Sequence, residues 1–144
     1  MGARQLCTFM LGDLYLGVDV CDVQEVLREQ PMTGVPSAPD IVSGLINLRG
    51  EIVTAIDLRR RLGMGPRSQE EPAMNVVVHG EEGPVSLLVD EIGDVVDVED
   101  TDYQPAPETV QGPAREVLAG TYPLPDRLLL LLDTAAACTP GRSL

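Results

Sequence analysis

Apolar and polar residues alternate in short runs along most of the chain, and turn-forming residues separate the runs. The first two runs, 6–10 and 14–18, flank Gly12 and Asp13, which is a hairpin signal. Short strands spaced in this way predict an all-β domain of the sandwich or small-barrel type. The later runs of the same kind lie at 52–56, 75–78, 85–89, 95–98, 119–124 and 128–132.

Helical spacing interrupts this pattern in only a few places. Apolar residues at 20, 23, 26 and 27, which follow a possible cap at Asp19, predict a short helix within 18–27. A second short helix is predicted at 58–62, where Asp57 can cap its start and Gly63 its end. A third, from Asp133 through Cys138, closes the chain.

The segment 44–63, GLINLRGEIVTAIDLRRRLG, carries the most specific signal. Two strands meet there at a corner formed by Asn47, Leu48, Arg49 and Gly50. Gly50 tolerates the positive φ that a tight corner needs, so Arg49 is expected at a strand end, facing solvent. Arginine is well suited to bidentate pairing at a partner surface. The alternative is an arginine that is merely solvated at a hairpin end.

A weak internal duplication suggests two similar lobes. The segments 18–23, 38–44 and 56–57 are echoed in the same order at 89–95, 106–112 and 132–133. Chance matches of this length are the alternative. We assign approximate lobes to 14–66 and 73–138, connected through the Gly- and Pro-containing stretch 63–72, and we expect the N-terminal strand at 6–10 to be shared between them.

Charge and hydropathy exclude several classes of protein. Acidic residues outnumber basic ones by 23 to 10, and the formal charge of −13 argues against nucleic-acid binding. The one basic cluster, residues 59–61, is expected to be a solvated helix face. The longest uninterrupted apolar run, 128–132, is far below the roughly 20 residues that span a bilayer. We therefore expect a cytoplasmic protein with no direct membrane insertion and no leader peptide.

Motifs that carry catalytic chemistry are missing from the sequence. It contains no nucleophile elbow, phosphate loop, dinucleotide fingerprint or zinc-protease motif. His79 is the only histidine, and Cys7, Cys21 and Cys138 form neither a disulfide framework nor a zinc pattern. The acidic series between 94 and 102 lacks the glycine and the bidentate glutamate of an EF-hand loop. We expect no catalytic residue, no cofactor and no metal site, and hence not an enzyme.

Taken together, these motifs resemble the CheW-like family, the adaptors of bacterial chemotaxis arrays. The Asn-Leu-Arg-Gly corner at 47–50 and Asp-Leu-Arg at 57–59 resemble the family hallmark, although Thr54 and Ala55 replace its usual Pro-Val pair. Threonine is a good strand residue, so the departure affects local strand geometry. Further segments follow in family order, so that the resemblance spans about 6–138: they are 9–17, 18–27, 36–44, 88–95, 104–108 and 126–133.

The resemblance implies a fold, two partners and a site. The fold is all-β, with two SH3-like five-stranded β-barrel subdomains and short helices, within a single domain at 1–144. The implied partners are the regulatory domain of a CheA-type histidine kinase and the cytoplasmic tip of methyl-accepting chemoreceptors. Carried over residue by residue, the receptor-binding candidates are Val23, Glu25, Arg49 and Gly50. Ordinary core packing is an equal alternative for Val23.

The function implied is a non-catalytic scaffold that couples chemoreceptors to the histidine kinase. Two alternatives stay open. One is a divergent CheW-like protein of a non-motility pathway that binds only one partner. The other is a regulatory-domain fragment of a CheA-type kinase, since that domain has the same double-barrel plan.

Overall fold

A computed structural model describes residues 3–65, 72–81, 83–107 and 112–138, so the predicted connection 63–72 and the echoed segment 106–112 lie partly outside it. Strands dominate the described part. The same ranges contain three short α-helices: α1 (Leu58–Arg61), α2 (Pro113–Val117) and α3 (Thr134–Cys138). The strands are β1 (Ala3–Leu11), β2 (Leu14–Asp19), β3 (Val23–Leu27), β4 (Val42–Leu48), β5 (Glu51–Asp57), β6 (Met74–Gly80), β7 (Gly83–Val89), β8 (Glu91–Glu99), β9 (Leu118–Pro123) and β10 (Leu128–Leu132).

The strands form two five-stranded sheets with equivalent topology. Sheet A has the order β8-β1-β2-β10-β9, and sheet B has the order β3-β6-β7-β5-β4. In each sheet one neighbouring pair is parallel, β2 with β10 and β5 with β7, and the other pairs are antiparallel. The predicted all-β class with two five-stranded units is confirmed.

Each sheet combines strands from both halves of the chain. We call β1–β5 with α1 the first half and β6–β10 with α3 the second half. Sheet A takes β1 and β2 from the first half and β8, β9 and β10 from the second, whereas sheet B takes β6 and β7 from the second half and β3, β4 and β5 from the first. The strand orders match when β1 to β5 are set against β6 to β10, which agrees with the duplication seen in the sequence.

The sheets therefore do not coincide with the lobes predicted at 14–66 and 73–138. After β2 the chain turns through a 3-10 segment, Val20–Asp22, and leaves sheet A for sheet B. The N-terminal strand β1 lies in sheet A, between β8 and β2. An apolar run identifies a strand but carries no information about which strand will lie beside it, and this is why the sequence predicted contiguous lobes.

The largest hydrophobic cluster joins the two sheets. It contains the fully buried side chains of Phe9 and Leu16 from sheet A and of Val76 and Leu87 from sheet B. Each sheet also has a smaller cluster of its own, around Leu6, Tyr122 and Leu129 in sheet A and around Ile46, Val53 and Val77 in sheet B. Burial of apolar surface therefore holds the sheets to each other as well as each sheet internally.

The helix predicted within 18–27 is wrong, because this segment is mostly strand. Residues 23–27 form β3, which pairs with β6 through a bulge between Val23 and Glu25. Half-buried and exposed residues alternate along it, and this period of two fits a strand. An isolated helix this short is unstable in water, whereas β6 offers a free edge of backbone groups.

The helix caps expected from the sequence are present. The Asp57 side chain accepts hydrogen bonds from the backbone N–H groups of Arg59 and Arg60, at 3.0 and 3.4 Å. Gly63 has a φ of 76°, and its N–H and that of Met64 donate to the carbonyls of Arg60 and Arg59. This is a Schellman motif. Asp133 caps α3 in the same manner as Asp57 caps α1. Helix α2 was not predicted.

The three arginines of α1 do not form the solvated face expected of them. Arg59 donates to Asp90 through Nε at 2.9 Å and through Nη2 at 2.5 Å. Asp90 also accepts from the backbone N–H of Gly12, at 2.7 Å. We call this group the Asp90 clamp. Arg61 is also buried and donates to the carbonyl of Ala136, so that only Arg60 is exposed.

The Asp90 clamp connects three parts of the fold. It joins α1, the end of β7 and the β1–β2 hairpin, and its two side chains are only 16% (Arg59) and 9% (Asp90) exposed. Removing one partner of such a pair leaves the other charged group poorly solvated, and this costs more than the loss of a surface ion pair.

We predict that Asp90→Ala lowers the free energy of unfolding by about 3 kcal/mol, because Arg59 loses its carboxylate partner and the Gly12 N–H loses its acceptor. Chemical denaturation of the variant and of the wild type measures this. Asp97→Ala removes an exposed carboxylate from β8 and is the matched control, expected within about 0.5 kcal/mol of the wild type. Equal stability of the two variants would contradict the clamp.

A second carboxylate, Asp19, is stabilised in its charged form. It accepts from the Cys21 N–H at 2.8 Å and pairs with Arg4 at 3.2 Å. The pKa of Asp19 is lowered, first by the hydrogen bond from Cys21 and then by the charge of Arg4.

We predict that Asp19 contributes stability that is fully present above its unfolded pKa of about 4 and is lost as the pH falls through its lower folded pKa. Asp19→Asn should therefore reduce the loss of stability between about pH 4 and pH 2. Melting temperatures of both proteins across that range provide the measurement, and parallel curves would show that Asp19 does not contribute.

Candidate functional site

The corner between β4 and β5 is a two-residue hairpin turn. Leu48 pairs with Glu51, and Arg49 and Gly50 form the loop between them, with φ values of 52° and 88°. Positive φ at both central residues is the type I′ arrangement, which matches the twist of the flanking strands. The Gly50 N–H donates to the side chain of Asn47 at 2.9 Å. Gly50 has the positive φ predicted, and the positive φ of Arg49 is a further feature that the sequence did not indicate.

Arg49 makes a bidentate ion pair with Glu25, and we call these two side chains the rim bridge. Nη1 and Nη2 of Arg49 donate to the two carboxylate oxygens of Glu25 at 2.7 and 2.5 Å. The Arg49 side chain is 71% exposed and that of Glu25 is 19% exposed. The hydrogen bonds from Arg49 lower the pKa of Glu25, and the carboxylate raises the pKa of Arg49. Both groups therefore stay charged at neutral pH.

The rim bridge spans the two outer strands of sheet B. Glu25 lies on β3, at one edge of the sheet, and Arg49 follows β4, at the other. The chain beyond β3 makes the same crossing, since Thr33 exchanges backbone hydrogen bonds with Leu45 of β4, at 2.9 and 2.8 Å. A Cβ on Gly44 would lie 2.7 Å from the Thr33 carbonyl oxygen, so only glycine fits this crossing.

The other two predicted site residues have different surroundings. Val23 lies two residues before Glu25 on β3, is half-buried and packs against the large cluster between the sheets. This packing agrees with the core alternative for Val23. Gly50 is exposed, and a Cβ on it would meet no atom within 4 Å. In the structure, Glu25 and Arg49 are in direct contact, and Gly50 lies next to Arg49 in the turn. Val23 is the first residue of β3, the strand that carries Glu25.

Two exposed apolar residues, Ile52 and Leu128, occupy matching positions at the starts of β5 and β10. Ile52 is 60% exposed and Leu128 is 42% exposed. Ile52 lies five residues before the capping Asp57, and Leu128 lies five residues before the capping Asp133. The sequence pattern suggested only core strands here. The one available signal was the position of both residues within two residues of a turn.

Each of these residues lines a groove. The groove at Ile52 has a volume of about 470 Å³, includes Val85 of β7 and has two acidic residues, Glu51 and Glu81, on its rim. We call this surface the Ile52 end.

The groove at Leu128 has a volume of about 340 Å³ and includes Leu14 of β2. Arg127 is on its rim, with its guanidinium 3.9 Å from the centre of the Tyr15 ring. We call this surface the Leu128 end. Asp13 also lines this groove, so the Leu128 end has one basic and one acidic side chain, whereas the Ile52 end has two acidic ones.

Other chemically active groups in the described ranges are few and scattered. Among residues 3–65, 72–81, 83–107 and 112–138, no group of three His, Cys, Asp or Glu side chains is placed to hold a metal ion. The cysteines are free thiols, and burial raises the pKa of Cys138 to about 11. His79 is exposed near the end of β6. The helices in these ranges are all too short or too polar to cross a membrane.

Comparison with known proteins gives consistent matches over nearly the whole chain. A family model described as the CheW-like domain matches residues 5–139. The probable chemotaxis protein CheW of Rhizobium etli is 33% identical over 135 residues, which cover 94% of this chain and 87% of that protein. The chemotaxis protein CheW of Klebsiella aerogenes is 33% identical over 130 residues, which cover 90% of this chain and 78% of that protein.

A solved structure agrees with the sequence matches. The crystal structure of the scaffolding protein TtCheW from Thermoanaerobacter tengcongensis superposes with a TM-score of 0.85 at 26% sequence identity, covering 94% of this chain and 92% of that one. The sheet order, the Arg49 hairpin and these matches lead to one conclusion: the chain belongs to the CheW-like family.

Proposed function

We propose that this protein is a non-catalytic adaptor that couples chemoreceptors to a CheA-type histidine kinase in the cytoplasm, as part of a bacterial chemosensory array. Membership of the CheW-like family and the names of its relatives, chemotaxis and scaffolding proteins, support the adaptor role. The observation that carries the proposal for the receptor site is the rim bridge between Glu25 and Arg49.

The rim bridge is built more like a recognition element than a structural one. Arg49 keeps most of its side chain in solvent, so the pair adds little to stability. Its backbone nevertheless occupies the positive-φ region, which a non-glycine residue adopts at some cost. An arginine kept at such a position without a stabilising role suggests a functional one.

The geometry of the rim bridge suits the helical tip of a receptor. Glu25 holds the guanidinium through two of its donors, which fixes its plane and orientation before a partner arrives. The remaining N–H groups of Arg49 then point outward from a preorganised fork, and less side-chain entropy is lost on binding. An amphipathic helix could place its apolar face near Val23 and accept hydrogen bonds from Arg49.

The kinase contact is best placed at the Ile52 end or the Leu128 end. Exposed aliphatic residues in a groove with a charged rim have the composition of a protein-binding surface. A partner domain built on the same double-sheet plan can present an equivalent end of its own to either one. The kinase regulatory domain is such a partner in the resembled family.

We predict that Arg49→Ala weakens binding to a receptor-tip fragment about tenfold or more, as expected for an interface anchor. The melting temperature should change by less than about 3 °C, because the ion pair is largely exposed. Arg49→Lys should restore binding only in part, since lysine keeps the charge and loses the planar fork. Calorimetric titration and thermal melting of each variant provide the two measurements.

Arg60→Ala is the matched control for this experiment. It removes another exposed arginine, on α1 rather than on the hairpin, and should leave receptor binding unchanged. If Arg49→Ala unfolds the protein, Arg49 is a structural residue. If it changes neither stability nor binding, the receptor surface lies elsewhere.

We predict that Ile52→Asp or Leu128→Asp weakens binding to the kinase regulatory domain about tenfold or more, by placing a charge on an apolar contact. Receptor binding should be unaffected in both variants. Val95→Asp changes an exposed valine on β8 in the same way and is the control. Normal kinase binding by both end variants would rule out the two surfaces. Loss of kinase binding without loss of receptor binding would also separate the two partners experimentally.

A further inference from the structure

Every sheet in this protein depends on pairing between the two halves of the chain. Four strand pairs lie within a half and are hairpins: β1 with β2, β4 with β5, β6 with β7, and β9 with β10. The four remaining pairs join the halves: β1 with β8, β2 with β10, β3 with β6, and β5 with β7. A half by itself would keep two hairpins and would leave a strand, β3 or β8, without a neighbour.

The large hydrophobic cluster and the Asp90 clamp also combine residues from both halves of the chain. The large cluster combines Phe9 and Leu16 of the first half with Val76 and Leu87 of the second. The Asp90 clamp likewise joins Arg59 of the first half to Asp90 of the second. The two halves follow each other in sequence and are joined between α1 and β6. The halves are therefore complementary partners connected by a single covalent crossing.

We propose that two copies of this chain can exchange halves, so that the first half of each copy folds onto the second half of the other and a closed dimer forms. Each of the two folded bodies in the dimer would contain all the strand pairs, the shared core and the Asp90 clamp of the monomer. The partner is a second copy of the same chain, and the contact surface is the one already buried between the halves. Exchange of identical elements makes a dimer without any new interface.

Concentration decides between the two forms. Within one chain the tether gives the halves an effective concentration on the order of millimolar. The monomer should dominate at micromolar protein concentration, and the exchanged dimer should appear as the protein concentration approaches that value. The exchanged dimer should also appear when substitutions make the contact between two halves of one chain unfavourable and leave the contact between halves of different copies favourable.

The exchange has a consequence for binding valency. Glu25 and Arg49 both belong to the first half, so each body of the dimer would carry one complete rim bridge. Ile52 and Leu128 belong to different halves, and each body would again carry one of each. A dimer would therefore present every surface of the monomer twice, with each chain running from one folded body to the other.

Two full-length charge-reversal variants test the proposal. In Arg59→Asp the clamp holds two acidic side chains, and in Asp90→Arg it holds two basic ones, so each variant alone opposes like charges. In an exchanged dimer of the two variants, one body regains the original pair and the other holds the pair with its charges reversed. We expect an equimolar mixture, unfolded and refolded together, to form a heterodimer.

The heterodimer should have twice the monomer mass by light scattering, should contain both of two different affinity tags, and should melt above either variant alone. The double variant Arg59→Asp/Asp90→Arg restores opposite charges within one chain and is the control, expected to be monomeric. Differently tagged wild-type chains, refolded together at about millimolar concentration, give a second measurement and should yield mixed dimers. Mixtures that contain only single-tag monomers in both experiments would overturn the proposal.

Discussion

The structure depends on strand pairing between halves that cannot complete a sheet on their own. Four strand pairs join the halves, and two of them, β2 with β10 and β5 with β7, are parallel and place the end of one half beside the start of the other. Parallel pairing requires a long crossover connection, and here the segments between β2 and β10 and between β5 and β7 supply it. The shared core then forms between the two completed sheets. The placement of the Asp90 clamp and of the Arg49 hairpin follows from this arrangement.

Much of the fold could be predicted from hydrophobic periodicity and turn residues. The apolar runs at 14–18, 85–89 and 128–132 lie within β2, β7 and β10, and the caps at Asp57 and Asp133 were correctly located. These features are local, because an alternation of side chains or a capping carboxylate is decided within a few residues. The sheets divide the chain differently from the predicted lobes because the identity of a strand's neighbour is a long-range property. The helix predicted within 18–27 failed because a bulged edge strand and one helical turn have similar apolar spacing.

The candidate site was only partly accessible from sequence. The resemblance indicated Glu25 and Arg49, and the hairpin pattern placed Arg49 in solvent. Their direct contact joins residues 24 positions apart across the edges of a sheet, which no local pattern encodes. Arg59 shows the opposite case. Its neighbours suggested a solvated helix face, but the strand that ends at Val89 brings a carboxylate within reach, and a surface position becomes a nearly buried ion pair.

The interleaving of the two halves also bears on how this fold can change over generations. A substitution in the first half alters surfaces in both sheets, and a compensating change can arise in the other half, as between Arg59 and Asp90. Neither half can be lost, replaced by an unrelated module or fused alone to another protein without leaving both sheets incomplete. The fold can therefore be inherited, duplicated or joined to a larger signalling protein only as a whole. Strand topology in this way makes the whole domain the smallest unit that can complete both sheets.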